Sequence, residues 1–318
     1  MNMKIIYFGT PEFAVEPLKV LLENNFSIAT VVTAPDKPSG RGLKVSSSDV
    51  KLFAELRGHK ILQPQKLSDE GFLEELKIVD ADLFVIVAFR KLPEAVWKLP
   101  RLGTVNLHAS FLPDYRGAAP INHAIINGEK ETGVTTFFIN DKIDTGNIIL
   151  QKKISIGDNE TAGELHDKLK SEGAQLLLET VRKIESGKAN TVEQNSLSGK
   201  NKVLQTAPKL TREFCRIKWN SSCENIFKLI RGLSPYPSAW TEFYSGIITL
   251  RINIFKVEKV MSVHDLKAGT IISDNKSILK IAAADGFIHI IELQVAGKKK
   301  LSVEEFLRGF KTEIFSAQ

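Results

Sequence analysis

Residues Leu83–Phe89 read Leu-Phe-Val-Ile-Val-Ala-Phe, an apolar run with no polar alternation. A strand of that kind has to be covered on both faces, the condition of a parallel strand inside an α/β sheet. The chain before it keeps the matching rhythm. Lys4–Phe8 is a short apolar run that stops at Gly9, and Glu12–Asn24 follows with leucines at helical spacing. An apolar strand at Ile28–Thr33, a helix near Asp49–Leu56, a short strand at Lys60–Leu62 and a helix near Asp69–Lys77 continue the alternation. Strands at Thr104–Leu107, Val134–Ile139 and Ile148–Lys153 and a long amphipathic helix at Thr161–Glu185 complete it. Such a pattern predicts an α/β domain with a doubly wound, Rossmann-like, mostly parallel sheet over residues 1–188.

Between Gly187 and Pro208 the text turns polar and irregular, so residues 189–208 read as a linker. Beyond it, a short helix at Asn220–Ile230 precedes five short strands, Ala239–Tyr244, Ile247–Val257, Gly269–Ile272, Ile278–Ala282 and Phe287–Leu293, separated by Gly, Asp and Asn. A small OB-like β-barrel domain over 209–318 is the expectation. A chain of 318 residues has room for two cores. No apolar run approaches bilayer length, the N-terminus lacks the layout of a signal peptide, and the two cysteines, Cys215 and Cys223, offer neither a disulfide framework nor a zinc site. A cytoplasmic protein with no metal site is expected.

Charge divides unevenly along the chain. Residues 1–208 carry 26 Lys+Arg against 26 Asp+Glu, and residues 209–318 carry 17 against 11, so the whole excess of +6 lies in the last third. An asymmetry of this kind marks a candidate surface for a polyanion.

The stretch richest in chemistry is Val105-Asn106-Leu107-His108-Ala109-Ser110-Phe111-Leu112-Pro113-Asp114-Tyr115-Arg116-Gly117. Asn106 and His108 stand two apart on a strand, so both side chains leave the same face. They do so at the carboxyl end of a sheet strand, where doubly wound sheets bind ligands. A polar loop, Asn140-Asp141-Lys142-Ile143-Asp144-Thr145-Gly146, joins two apolar strands and can bring a carboxylate beside the histidine.

These segments resemble the folate-dependent formyltransferases. The resemblance rests on Phe8-Gly9-Thr10-Pro11-Glu12-Phe13-Ala14, Asn106-Leu107-His108-Ala109-Ser110, Leu112-Pro113, Tyr115-Arg116-Gly117-Ala118-Ala119-Pro120-Ile121 and Asp144-Thr145-Gly146, and it runs over nearly the whole chain. Two further segments, Pro35-Asp36-Lys37-Pro38-Ser39-Gly40-Arg41-Gly42 and Ala207-Pro208-Lys209-Leu210-Thr211, are similar to the branch whose acceptor is the methionine of initiator methionyl-tRNA. Asp49 and Lys142 depart from the pattern, standing where relatives carry proline and glycine.

The resemblance implies a formyl donor, 10-formyltetrahydrofolate, a catalytic trio of Asn106, His108 and Asp144, and a folate site formed by Ser110, Phe111, Leu112, Pro113 and Leu92. It also implies tRNA contacts from Lys37, Arg41 and Lys44 in the loop from Ala34 to Val50, and a monomer. The residue types suit the reaction. An amine attacking a formyl carbonyl builds negative charge on oxygen, and preorganised donors such as the Asn106 amide and the His108 imidazole stabilise it. Asp144 orients the imidazole, and His108 or a water held by Asp144 relays protons. An α-amine with a pKa of about 7.7–8.0 is already partly neutral near pH 7, so no strong dedicated base is required.

Three other functions would fit parts of the same sequence. A nicotinamide oxidoreductase needs G-x-G-x-x-G after the first strand, and Gly9-Thr10-Pro11-Glu12 lacks it. A formyltransferase acting on a nucleotide or sugar amine would share the trio, but the basic last third argues for a nucleic acid instead. An RNA-binding protein with a silenced transferase domain would have no use for Asn106, His108 and Asp144 together.

Overall fold

The computed structural model describes residues 3–39, 44–197, 203–245, 247–310 and 315–317. It divides into two compact units, and the chain passes between them more than once. One unit holds Met1–Gly117, Thr132–Ser155 and His166–Thr206, and the other holds Ala118–Glu131, Ile156–Leu165 and Ala207–Gln318.

The first unit is built on seven strands: β1 (Lys4–Gly9), β2 (Ser27–Val32), β3 (Ile61–Leu62), β4 (Leu83–Val87), β5 (Thr104–His108), β6 (Glu131–Phe138) and β7 (Ile148–Ser155). Their spatial order is β7-β6-β5-β4-β1-β2-β3. The pairs β1–β2, β1–β4, β2–β3 and β4–β5 are parallel, and β5–β6 is antiparallel. The sheet is therefore mixed, with the antiparallel strand beside the one that carries Asn106 and His108. All five residues of β4 are buried, as the unbroken apolar run requires. Ile6, Phe8, Val32, Phe84 and Ile86 pack on one face with Phe72 and Leu76 of the helix Glu70–Val79. Alternate residues such as Ile5 and Tyr7 are equally buried, so both faces are covered. The helices begin at side-chain caps: Ser48 Oγ accepts from Lys51 N at 3.1 Å, and Asp69 Oδ1 accepts from Phe72 N at 3.0 Å.

The described parts of the segment after β2 carry regular structure that its prolines and serines do not suggest. Lys37–Ser39 and Lys44–Ser46 form a two-stranded antiparallel ribbon. Its base is held by Asp36, whose carboxylate accepts from Lys51 Nζ at 2.5 Å and Gln63 Nε2 at 2.8 Å. The segment read as a linker contains a helix, Gln194–Leu197, and a short strand, Thr206–Ala207.

The second unit carries the strands β8 (Ala239–Tyr244), β9 (Thr249–Met261), β10 (Ile271–Ser273), β11 (Leu279–Ala282), β12 (Gly286–Val295) and β13 (Ser316–Ala317), in the order β10-β11-β12-β9-β8-β13. The far edges approach each other at a bridge between Thr270 and Ser316, so the antiparallel sheet is nearly a closed barrel. Gly269 makes this possible: its φ is +87°, and a Cβ there would lie 2.2 Å from the Ala317 carbonyl oxygen. The barrel interior holds Phe243, Ile252, Ile254, Leu279, Ile281, Ile288, Ile290 and Leu293, all buried. In the same unit the helix Pro120–Ile126 lies against Cys223–Leu233, with Asn122 Nδ2 donating to the Gly232 carbonyl at 2.8 Å.

Candidate active site

Strand β5 ends at the site. Asn106 is half-buried, pairing with Ile86 on one side and Phe137 on the other, and His108 pairs with Thr135. Both side chains leave one face, as spacing by two dictates. Among the described residues the Asn106 side-chain amide has no hydrogen-bond partner, which leaves its donors for a ligand. His108 is only 7% exposed. Its Nε2 lies 2.9 Å from the Tyr115 carbonyl oxygen, and since a carbonyl only accepts, Nε2 carries the proton there. Nδ1 is then the ring atom that faces Asp144, 3.8 Å from Oδ2. That separation is beyond a hydrogen bond, and it places the carboxylate within reach of any positive charge the ring takes on.

The Asp144 loop is folded tightly. Asn140 Oδ1 accepts from Lys142 N at 3.0 Å and Thr145 Oγ1 at 2.9 Å, the side chain standing in for a backbone turn. Asp144 itself has φ +53°, a left-handed conformation uncommon for a residue with a side chain. Three contacts hold it: Gly117 N donates to Oδ2 at 3.0 Å, and Gln194 Nε2 donates to the Asp144 carbonyl at 2.9 Å and the Gly146 carbonyl at 2.8 Å. Gln194 is only 2% exposed, and its Oε1 accepts from Arg116 Nε at 3.0 Å and Nη2 at 2.6 Å. Burial pushes the Arg116 guanidinium below its ordinary pKa, and the charges of Asp144 and Asp114 oppose that shift. Arg116 and Gly117 are consecutive, so Asp144 is clamped through its carboxylate and its backbone from one point of the chain.

The segment expected to line the folate site is braced from below. Thr135 Oγ1 donates to the Ser110 carbonyl at 2.7 Å and accepts from Leu112 N at 3.1 Å. Gln151 Nε2 donates to the Leu112 carbonyl at 2.7 Å and to Thr135 Oγ1 at 3.0 Å. Ser110 is fully buried, with its hydroxyl given to the Asp114 carbonyl at 2.7 Å. Leu112, Pro113 and Leu92 are buried, Leu92 in the cluster of Phe8 and Ile86, whereas Phe111 is half-buried with Lys153 Nζ 5.4 Å from its ring centroid. Buried side chains of this kind act on a ligand through their backbone and as walls.

Of the residues expected at the tRNA, Lys37 is exposed at the start of the ribbon, Lys44 lies on its second strand, and Arg41 falls outside the described residues. Gln194, Thr135 and Gln151 were not singled out from sequence. A glutamine in a polar stretch, or a threonine on a strand, carries no signal until the fold shows what it touches.

Comparison with known proteins identifies the family. A formyl transferase model matches residues 1–181, and a model of the formyl transferase C-terminal domain matches residues 209–311. The methionyl-tRNA formyltransferase of Bacteroides fragilis is 48% identical over 317 residues, covering 99% of this chain and 97% of that protein. The one from Phocaeicola vulgatus is 50% identical over 313 residues, covering 98% and 97%. Among solved structures, HypX from Aquifex aeolicus with tetrahydrofolic acid superposes with TM-score 0.63 at 18% identity, over 98% of this chain and 49% of that one. An N-formyltransferase from Helicobacter canadensis, with folinic acid and dTDP-3-aminofucose, superposes with TM-score 0.62 at 21% identity, over 95% and 100%. At that identity the two structures speak for the fold alone. A Rossmann-like mixed sheet followed by a nearly closed barrel-like sheet, each matched by a formyl transferase model, defines a formyl-group transferase. The chain belongs to the formyl transferase family, and within it to the methionyl-tRNA formyltransferases.

Proposed function

We propose that this protein transfers the formyl group of 10-formyltetrahydrofolate to the α-amine of methionine carried on initiator tRNA, in the cytoplasm, for the start of translation. The observation that carries the reading is the meeting of His108 and Asp144, 3.8 Å apart, beside an Asn106 amide with no partner of its own among the described residues.

The neutral amine attacks the formyl carbon. As the carbonyl becomes tetrahedral, Asn106 Nδ2 donates to the developing oxyanion, the kind of preorganised contact that supplies a large part of acyl-transfer catalysis. His108 exchanges protons with the substrate through Nδ1, because Nε2 is committed to Tyr115. The adjacent Asp144 carboxylate steadies the positive charge that develops on the ring. The proton lost by the attacking nitrogen has to reach the departing folate nitrogen, and Nδ1 and Asp144 border that route. Folate would lie against the backbone of Ser110, Phe111, Leu112 and Pro113, with Leu92 in the wall.

Residues 1–188 then form the catalytic part, 189–208 a connecting segment and 209–318 a tRNA-binding part. Lys37, Arg41 and Lys44 contact the RNA end, so Arg41→Ala should weaken transfer, and affinity for methionyl-tRNA should fall as salt rises. The deciding experiment supplies 10-formyltetrahydrofolate with methionyl-tRNA, free methionine or small amines. Formylation of methionyl-tRNA well above the others supports the reading. Equal or greater transfer to a free small amine refutes it.

A further inference from the structure

Three arginines converge on one tryptophan in the second unit. The guanidinium carbons of Arg212, Arg216 and Arg251 lie 5.4, 5.2 and 4.6 Å from the Trp240 ring centroid. On β8 the residues Ala239, Thr241 and Phe243 are fully buried, so Trp240 and Glu242, at alternate positions, belong to the opposite face of the strand. Trp240 is nevertheless only 4% exposed, and its Nε1 donates to the Arg212 carbonyl at 2.8 Å. The ring is a platform covered by cations, with no face left open for a base to stack on.

The platform alone does not account for the charges. Among the described residues the three guanidiniums have one carboxylate in ion-pair contact, Glu242, which Arg216 Nη2 meets at 3.3 Å. Among the described residues the Arg212 and Arg251 guanidiniums have no hydrogen-bond partner, and Arg251 Nε is buried without one. A buried unsatisfied donor requires an explanation, and a bound ion is one of the few available. Burial, followed by the charge of Arg212, pushes the Arg251 guanidinium below its ordinary pKa, as expected for cations crowded together without enough anions. Planar guanidinium forks match phosphate oxygens.

We propose that Arg212, Arg216 and Arg251 form a phosphate subsite, preorganised by stacking on Trp240, that grips the backbone of an RNA without reading its bases. The proposal rests on the tRNA reading given above and adds to it a location and a mode of contact. It also gives the charge excess of residues 209–318, 17 basic against 11 acidic, a specific focus.

The test uses the full chain and uncharged initiator tRNA, so the result does not depend on formyl transfer. Affinity is measured by fluorescence anisotropy from 50 to 300 mM KCl. The double variant Arg212→Gln/Arg251→Gln should bind about tenfold or more weakly at low salt, with the slope of log affinity against log salt reduced by about 2. Glu242→Gln removes the competing carboxylate and should bind several-fold more tightly. Lysine at positions 212 and 251 restores charge and should recover most of the slope, which separates lost contacts from lost folding. If the glutamine pair leaves affinity and slope unchanged while Glu242→Gln also has no effect, the site does not hold RNA phosphate, whether or not an acidic peptide binds there. Failure of the transferase reading looks different: the wild-type chain would bind tRNA with the full slope and still not formylate methionyl-tRNA.

Discussion

Gln194 Nε2 donates to the backbone carbonyl of Asp144 at 2.9 Å, joining two residues 50 positions apart and fixing a left-handed residue whose carboxylate faces His108. Both Nε2 hydrogens are used, the second on Gly146, and Oε1 is filled by Arg116. Removing the side chain takes the donor from two carbonyls and the Oε1 acceptor from Arg116 Nε and Nη2, at about 1–3 kcal/mol for each group that water does not reach.

Gln194→Ala is therefore expected to lower kcat for formyl transfer by one to two orders of magnitude, since a displacement of about 1 Å at a catalytic group costs roughly a hundredfold. Gln194→Glu keeps a partner for Arg116 but has nothing to donate to the two carbonyls, so it should not rescue the rate. If Gln194→Glu instead matches wild type in single-turnover assays, the amide is not what positions Asp144.

At the strand end, Asn106→Ala and His108→Ala should each reduce transfer by roughly two to three orders of magnitude, the scale of losing an oxyanion donor. Asn106 has no structural bond to lose among the described residues, so its variant should melt at the wild-type temperature. His108→Ala also loses the hydrogen bond from Nε2 to the Tyr115 carbonyl and should cost some stability. A folded Asn106→Ala protein with most of its activity would remove the oxyanion role.

Gly146 tolerates no side chain. A Cβ there would sit 1.7 Å from the Phe138 carbonyl oxygen, so the loop that carries Asp144 has to move if one is added. Gly146→Ala should nearly abolish transfer, while Thr145→Ala, which loses the Oγ1 bonds to Asn140 Oδ1 and, at 3.4 Å, to the Lys142 carbonyl inside the same loop, should keep most of it. Comparable rates for the two variants would mean that the loop is freer than its packing implies.

The limits of the sequence reading follow from the same contacts. The parallel sheet was legible because burial on both faces forces continuous apolar runs, as at Leu83–Val87. Asn106 and His108 were legible as a pair because strand spacing alone puts them on one face. Asp144 entered only through the family resemblance, since nothing local distinguishes it from the neighbouring Asp141. Gln194 was hidden in a segment whose polarity reads as solvent exposure, although its polar atoms are satisfied inside the protein. The ribbon at Lys37–Ser39 and Lys44–Ser46 was hidden by its prolines, glycines and serines, and the helix Pro120–Ile126 by being too short to show a period.

Acid should weaken the first unit partly through Asp82. Its carboxylate accepts from Lys4 N at 2.8 Å and Arg101 Nε at 2.7 Å, and these contacts, the Lys4 N–H first, hold its pKa below the usual carboxylate range. A carboxyl depressed by folding stabilises fully above its unfolded value of about 3.9, and that stabilisation is lost as pH falls through the folded value. Asp82→Asn should therefore have a lower urea midpoint than wild type at pH 7, with the gap narrowing below about pH 4. A gap of equal size at pH 7 and pH 3 would show that the carboxylate charge contributes nothing.

Both cysteines should be inert in the folded protein. Burial raises the thiol pKa of Cys215, and it pushes Cys223 up to about 11, with the neighbouring Asp285 adding to the shift. At pH 8 a thiol with a pKa near 11 is about one part in a thousand thiolate, whereas an unperturbed cysteine, at about 8.5, is roughly a quarter ionised. Exclusion of reagent from a buried sulfur slows the reaction further. Iodoacetamide at pH 8 should leave Cys215 and Cys223 unmodified in native protein over an hour and label both in 8 M urea, as read by intact-mass spectrometry. Because both residues lie in the second unit, labelling of either without denaturant would report local opening there, and the labelling rate as a function of urea would measure its cost.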